Sequence, residues 1–254
     1  MKNSFEWCGY HWHSVMEGGR IIHPSYPWMW YDPNQVVVTK DNTLEFFIKY
    51  KPAEIHHWDG KTYNPSMACG LIRSEEDFGY GTFSAEMMLP KGKNLWPSFW
   101  LTGSGNWPPE IDIMEAWLDN DGSYFHLFTP QFPWLNPSWK TTTNVHYNNT
   151  KLEHEQCGSR NISWCKQKSE PSDTFIEYKC VWMPDSITFY VNDKKVRKIT
   201  GKECKYLTEN LINPDKGWKM NIVFNVFCEN PEEYKVDMVQ PMLIRNFKYQ
   251  PYEI

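Results

Sequence analysis

The chain has 254 residues, of which 41% are hydrophobic and 22% are charged, and its formal net charge is −5. The apolar content excludes an intrinsically disordered chain, and the sequence lacks the run of about 18 apolar residues that a transmembrane helix needs. The mild acidity and the absence of Lys/Arg blocks indicate that nucleic acid is not a partner.

Short runs rich in β-branched and aromatic residues recur along the chain, and turn residues separate them. The predicted strands are 35–40, 43–50, 81–89, 111–114, 175–182, 186–191, 220–227 and 241–249. Amphipathic helical periodicity is hard to find. We therefore expect an all-β fold, an antiparallel sandwich or jelly roll, that forms one domain over residues 1–254.

The aromatic content is high, with 14 Trp, 14 Tyr and 14 Phe. A bulky β-sandwich core accounts for many of these rings. Trp, however, is seldom fully buried and keeps an N–H that needs a partner. The number of Trp residues therefore also suggests exposed flat platforms of the kind on which sugar rings stack.

The cysteine and histidine patterns do not predict a metal site. The seven cysteines are odd in number, and none shows C-x-x-C spacing,. Cys157 and Cys165 could close a small loop in an oxidising compartment, and the redox compartment remains open. Residues 1–10 lack the apolar segment of a signal peptide, so we expect either that none exists or that it has been removed.

Three carboxylates fall close together in residues 110–115, EIDIME. In a regular strand, side chains alternate, so Glu110 and Asp112 point to one face and the isoleucines to the other. Strict alternation would place Glu115 in the core, where a lone carboxylate is costly. A one-residue bulge near residues 113–114 is therefore expected, and it brings Glu110, Asp112 and Glu115 to one face.

Carboxyl groups that lie close together raise one another's pKa, which can leave one as a base or nucleophile and another as an acid. Glycoside hydrolysis uses such a pair. Two alternatives stay open from the spacing alone: a solvated strand face, and a calcium site. The calcium site is disfavoured because no Asn/Asp-rich, Gly-containing loop surrounds the acids.

The segment 110–115 resembles the E-x-D-x-x-E signature of glycoside hydrolase family 16, the group of laminarinases, agarases and carrageenases. The context agrees in residues 79–83 (GYGTF), 89–101 (LPKGKNLWPSFWL) and 178–191 (YKCVWMPDSITFYV). The first 60 residues match no family motif. The chain departs from the family pattern at Thr82, Ser84, Glu86, Pro109 and Ile176, and these departures leave the substrate class open.

The resemblance implies a concanavalin A-like jelly roll of two curved antiparallel sheets with a concave substrate cleft. Position by position, Glu110 corresponds to the nucleophile, Glu115 to the general acid/base, and Asp112 to the residue that tunes the nucleophile. The implied reaction is a retaining double displacement that needs no cofactor and no metal in the chemistry.

Further residues are candidates for substrate binding. Trp107 corresponds to a sugar-stacking ring of the family, and His146 resembles a strand histidine that approaches the acids in many relatives. Trp96 is a candidate for the cleft, whereas Trp100 is assigned to the core. Residues 132–139, which include Trp134 and Trp139, form either an aromatic rim or a loop that covers its own apolar patch.

The sequence thus predicts a monomeric, retaining endo-β-glycosidase whose partner is a polysaccharide. A β-1,3- or mixed-linkage glucan is the first expected substrate, and an algal β-galactan of the agar, porphyran or carrageenan type is the second. The alternatives are a catalytically silent carbohydrate-binding protein and a transglycosylase on the same fold. The resemblance further implies a secreted, periplasmic or cell-surface location.

Overall fold

The structure is a computed structural model that describes residues 4–105, 107–117, 139–148, 154–156, 163–165, 170–201 and 219–252. Within these ranges almost all regular structure is β-strand. The helical segments there are two single 3₁₀ turns, at Glu17–Gly19 and Pro33–Gln35. No described helix has the length and apolar character needed to cross a bilayer.

The strands are named here in chain order, with their bounds. They are β1 Ser4–Trp7, β2 Tyr10–His13, β3 Met29–Tyr31, β4 Val36–Val38, β5 Leu44–Phe46, β6 Ile48–Tyr50, β7 Ile55–His56, β8 Thr62–Tyr63, β9 Met67–Cys69, β10 Leu71–Ser74, β11 Gly81–Met88, β12 Lys91–Lys93, β13 Leu95–Gly103, β14 Glu110–Glu115, β15 Trp139–Asn148, β16 His154–Gln156, β17 Ser163–Cys165, β18 Ile176–Met183, β19 Ser186–Val191, β20 Lys194–Thr200, β21 Met220–Cys228, β22 Asp237–Gln240 and β23 Met242–Pro251.

Two large antiparallel sheets form the body of the fold. The first, here the cleft sheet, runs in the order β1-β2-β10-β21-β13-β14-β15-β16, with β17 also paired to β15. The second, here the back sheet, runs in the order β20-β19-β18-β11-β23-β5-β4. Strand β23 therefore lies between β11 and β5, which precede it by most of the chain.

The space between the two sheets is filled by one large hydrophobic cluster. Phe99 of β13 stacks on Phe224 of β21 with ring centroids 4.4 Å apart, and Phe247 of β23 meets Phe224 edge-on at 5.9 Å. Trp7 and Trp12, both fully buried, pack against the same rings. Facing apolar surfaces of two sheets thus form the core, as a β-sandwich requires.

Most predicted strands are present within one or two residues of their predicted bounds, but the predicted strand 43–50 is divided in two. β5 joins the back sheet, whereas β6 joins a small sheet with β9 and the parallel strand β3. Phe47 lies between β5 and β6. Its backbone N–H donates to the carbonyl of Gln35, and its carbonyl accepts from the N–H of Gly70. A single predicted strand therefore spans a change of sheet.

Candidate active site

The floor of a cleft of about 820 Å³ is built from alternate residues of β13, β14 and β15. Antiparallel pairing aligns these residues in three rows across the strands. The rows are Ser98 with Glu115 and Thr142, Trp100 with Asp112 and Asn144, and Thr102 with Glu110 and His146. All nine side chains line the cleft, because alternate residues of a strand share a face.

A β-bulge in β14 brings the third acid to this face. Along β13, Phe99 pairs with Met114 and the next residue, Trp100, pairs with Asp112. Ile113 therefore has no pairing partner on β13. The register with β15 shifts at the same place. Ile113 and Met114 are both buried, whereas Glu115 lines the cleft. The bulge that the sequence predicted at residues 113–114 is therefore confirmed.

Two tryptophans donate hydrogen bonds to the two glutamates. The indole N–H of Trp107 donates a hydrogen bond of 2.9 Å to Glu110 Oε2. The indole N–H of Trp96 donates one of 3.1 Å to Glu115 Oε1. Each glutamate thus has its own aromatic partner, and both tryptophans lie in the cleft, as the sequence predicted. Trp107 is 53% exposed, so its ring remains open to a ligand.

His146 lies beside Glu110 and Asp112. Its Nε2 is 3.4 Å from Glu110 Oε1 and 3.3 Å from Asp112 Oδ2, and it is 3.2 Å from the Asn144 side-chain amide. Burial lowers the pKa of His146 despite the nearby carboxylate of Glu110. The imidazole is therefore neutral near pH 7 and offers a polar contact rather than a positive charge.

Burial is the main cause that raises the pKa of all three acids, and their mutual repulsion adds to the increase for the two glutamates. Hydrogen bonds oppose this effect, since Trp107 lowers the pKa of Glu110 and Trp96 lowers the pKa of Glu115. Asp112 Oδ2 is buried and accepts no hydrogen bond from a described group. The raised pKa values let one carboxyl group of the cluster keep its proton near neutral pH while another is ionised, so the cluster can supply an acid and a base,.

One wall of the cleft comes from the segment between β2 and β3, where the sequence had suggested no site. Its cleft residues are Met16, Arg20, His23, Ser25 and Tyr26, and Tyr31 of β3 lines the cleft beside them. The segment is held by backbone hydrogen bonds from Tyr31 N to Ile21 O (2.7 Å) and from Met16 N to Arg20 O (2.9 Å). On the floor, Trp96 stacks on Trp117 with centroids 5.7 Å apart, which extends an aromatic surface away from Glu115.

The assignment of Trp100 to the core is wrong, because this side chain lines the cleft floor in the same row as Asp112. Its N–H donates a 2.6 Å hydrogen bond to Asn225 Oδ1. Strand alternation explains the error: positions 96, 98, 100 and 102 share one face. Trp134 and the side chain of Trp139 lie outside the described residues.

Among the described residues, one group has donor atoms close enough to hold a metal ion. It consists of Glu110, Asp112 and His146, whose candidate ligand atoms lie within 4.8 Å of one another. These side chains already form the acid cluster and its histidine neighbour. The expectation that no metal takes part in the chemistry stays a prediction.

The model of Glycosyl hydrolases family 16 matches residues 23–230. The chain belongs to this family. The match begins well before residue 60, so it includes His23, Ser25 and Tyr26 of the cleft wall, in which no family motif had been found. It also covers all three acids.

Two curated relatives are bacterial enzymes. The chain is 25% identical over 132 residues to the endo-1,3-1,4-β-glycanase EglC of Rhizobium meliloti, which covers 51% of the chain and 23% of that protein. It is 25% identical over 170 residues to the β-glucanase of Rhodothermus marinus, which covers 64% of the chain and 49% of that protein. The chain thus spans half or less of the length of these relatives.

A solved structure confirms the fold. A family 16 enzyme of Bacteroides ovatus, from a mixed-linkage glucan utilisation locus and in complex with the product G4G4G3G, superposes with a TM-score of 0.61 at 21% identity. The comparison covers 98% of this chain and 97% of that one. The jelly-roll architecture expected from the sequence is therefore confirmed, and the chain is a member of a glycoside hydrolase family.

Proposed function

We propose that this protein is a retaining endo-β-glycosidase that cleaves a β-linked polysaccharide. The observation that carries the proposal is the bulge in β14, which sets Glu110, Asp112 and Glu115 on the floor of one cleft. Glycoside hydrolysis needs a carboxylate beside a protonated carboxyl group. The open, aromatic-lined cleft suits an internal stretch of a long chain.

In the first step, Glu110 as carboxylate attacks the anomeric carbon while Glu115 donates its proton to the glycosidic oxygen. The C–O bond breaks, the leaving chain departs with the proton, and a covalent glycosyl-enzyme forms on Glu110. In the second step, Glu115 accepts a proton from a water molecule that attacks the same carbon. Glu110 is released as carboxylate, and the anomeric configuration is retained.

The neighbouring residues support these roles. The N–H of Trp107 stabilises the carboxylate form of Glu110, and its exposed ring offers a surface on which a sugar can stack. Asp112, next to Glu110 on the same face, raises the pKa of Glu110 by charge repulsion. His146 orients the pair from the adjacent strand. Trp96 holds Glu115 from the other side of the cleft.

For the substrate, we propose a β-1,3- or mixed-linkage glucan first and an algal β-galactan of the agar, porphyran or carrageenan type second. The names of the two bacterial relatives support the glucan. We further propose that residues 1–254 form one catalytic domain and that the protein acts outside the cytoplasm, where polysaccharides of this size are found.

Active-site variants test the assignment of roles. Glu110→Ala and Glu115→Ala should each lower kcat/KM by about 10³-fold or more, while Glu54→Ala, at an exposed glutamate, leaves it unchanged. With azide and an aryl glycoside of the preferred oligosaccharide, Glu110→Ala should give the glycosyl azide of inverted configuration. Glu115→Ala should give the retained one, because azide then attacks the glycosyl-enzyme.

To identify the substrate, the protein is incubated with laminarin, lichenan, agarose, porphyran and carrageenan in turn. The products are then separated by chromatography. New reducing ends indicate hydrolysis, whereas redistribution of chain lengths without them indicates a transglycosylase. Binding without any product would identify a silent carbohydrate-binding protein and refute the proposed hydrolysis. Activity that survives in either alanine variant would contradict the roles of the two glutamates.

A further inference from the structure

Tyr26 comes from the cleft wall between β2 and β3 and faces the acids on the floor. It lines the same cleft as Glu110 and Glu115. Its ring meets Trp96 edge-on, with centroids 5.7 Å apart and planes at 79°. Trp96 is the residue whose indole N–H holds Glu115. A single aromatic contact therefore connects Tyr26 to the proposed acid/base.

The position of Tyr26 is fixed before any ligand binds. Its backbone N donates to His23 O at 2.9 Å, and its carbonyl accepts from Met29 N at 3.2 Å. The rings of His23 and Trp28 contact it at 5.3 Å and 5.8 Å. Trp28 is in turn anchored by a hydrogen bond from Nε1 to Cys228 O at 3.2 Å. A ring held on three sides loses little entropy when it contacts a substrate.

The hydroxyl group of Tyr26 is a hydrogen-bond donor without a described protein acceptor. Partial burial raises its pKa, and the charges of Glu110 and Glu115 raise it further. The phenol therefore stays protonated throughout the range in which the acids titrate. Because the rest of the ring is packed against aromatic neighbours, the polar end is the part that a bound molecule would contact.

We propose that Tyr26 contacts the substrate at the point of cleavage and donates a hydrogen bond to an oxygen of the sugar held between Glu110 and Glu115. The inference rests on the proposed glycosidase function. It makes the wall opposite the acids part of the catalytic subsite, and it assigns to this wall the recognition of one sugar hydroxyl or ring oxygen. A sugar that lacks an acceptor oxygen at that place would bind more weakly.

The test compares Tyr26→Phe, which keeps the ring and removes only the hydroxyl, with Tyr26→Ala. The control is Tyr50→Phe, at a tyrosine that is 76% exposed and outside the cleft. Binding of the preferred oligosaccharide is measured by calorimetry in the Glu110→Gln background, and kcat/KM is measured with Glu110 intact. We expect Tyr26→Phe to lower both affinity and kcat/KM by about tenfold, with an unchanged Tm.

Each result has a definite meaning. If Tyr26→Phe binds the oligosaccharide as tightly as the protein with Tyr26 does, the inference is overturned. This holds whether or not Tyr26→Ala is impaired. A loss in Tyr26→Ala alone shows that only the ring matters. If the unsubstituted protein hydrolyses no polysaccharide of the panel, the proposed function fails and the inference fails with it. Normal hydrolysis by an unimpaired Tyr26→Phe refutes the inference alone.

Discussion

One indole N–H favours the charged form of each of the two glutamates on the cleft floor. Trp107 and Trp96 donate to Glu110 and Glu115 respectively, and each hydrogen bond favours the carboxylate form. Burial acts in the opposite direction on both glutamates. The two groups are coupled through Asp112, so their titration is shared, but the two tryptophans touch different partners. Their effects can therefore be separated by substitution.

Substituting Trp107→Phe should move one limb of the pH profile and Trp96→Phe the other. Loss of either N–H raises the pKa of its glutamate by about one unit. Glu110 must be ionised to attack, so in Trp107→Phe the acidic limb of kcat/KM moves to higher pH. Glu115 must be protonated, so in Trp96→Phe the basic limb moves to higher pH. The measurement is the pH dependence of kcat/KM.

Trp58→Phe provides the control for these two variants, because Trp58 is 78% exposed and does not line the cleft. Its profile should match that of the unsubstituted protein. If Trp107→Phe and Trp96→Phe displace the same limb, the division of roles between the two glutamates is wrong.

At the level of residues, the sequence predicted the acids, Trp107, Trp96 and His146, because these residues lie in or near one short motif or match a family pattern. Trp100 was misassigned although its spacing from Trp96 places both on one strand face. Tyr26 gave no signal in the sequence. It lines the same cleft as the acids because the segment between β2 and β3 forms a wall of that cleft, and no local pattern encodes such a long-range arrangement.

The bulge in β14 is the structural element on which the site depends. It supplies the extra residue that turns Glu115 from the core to the cleft while Ile113 and Met114 stay buried. The alternation of a strand has a period of two, so each added or deleted residue reverses the face of everything after it unless a bulge compensates.

Deletion of one residue and deletion of two residues at this point should have opposite outcomes. Deleting Met114 leaves the order E-I-D-I-E, which places all three acids on one face of a regular strand without a bulge. We expect a folded enzyme that keeps activity within about a hundredfold. Deleting both Ile113 and Met114 instead leaves E-I-D-E, which turns the last glutamate inward and should abolish activity and lower stability. The measurements are kcat/KM and Tm for both variants.

A one-residue deletion variant as inactive as the two-residue deletion variant, but fully folded, would contradict this account of β14. It would mean that the bulge itself, rather than the shared face, determines the geometry of the acids. Strand content and the fluorescence of the buried tryptophans report whether each variant is folded.

Strand positions were largely predictable from the sequence, whereas sheet membership was not. Strand β19 has the predicted bounds, and β11, β18 and β21 differ by one residue. The predicted strand 43–50, which is divided between two sheets, shows what the sequence pattern does not predict. Alternation and composition indicate that a segment is extended, but not which neighbouring strand its backbone pairs with. β5 pairs with the neighbouring β4 and with the distant β23, whereas β6 pairs with β9.

On the scale of the whole molecule, the N-terminal hairpin is part of the core. Trp7 and Trp12 are buried to 1% and 0% exposure and pack against rings from both sheets. Their N–H groups are satisfied by the carbonyls of Asn42 and Trp7. A segment without any recognisable motif therefore contributes large buried side chains to the core.

Trp12→Ala should lower the free energy of unfolding by about 3–5 kcal/mol, because it removes a large buried side chain and leaves a cavity. Trp58→Ala, at an exposed ring, should change it by no more than about 0.5 kcal/mol. Chemical denaturation with tryptophan fluorescence measures both. A loss for Trp12→Ala no larger than that for Trp58→Ala would show that the hairpin is dispensable.

The place of β23 in the back sheet has a consequence for biosynthesis. Its residues pair with β11 on one side and with β5 on the other, across most of the length of the chain. While a ribosome is still adding residues before Met242, these two partners expose unsatisfied backbone groups to other nascent chains. Completion of the back sheet must wait until β23 has emerged, so folding is expected to be slow.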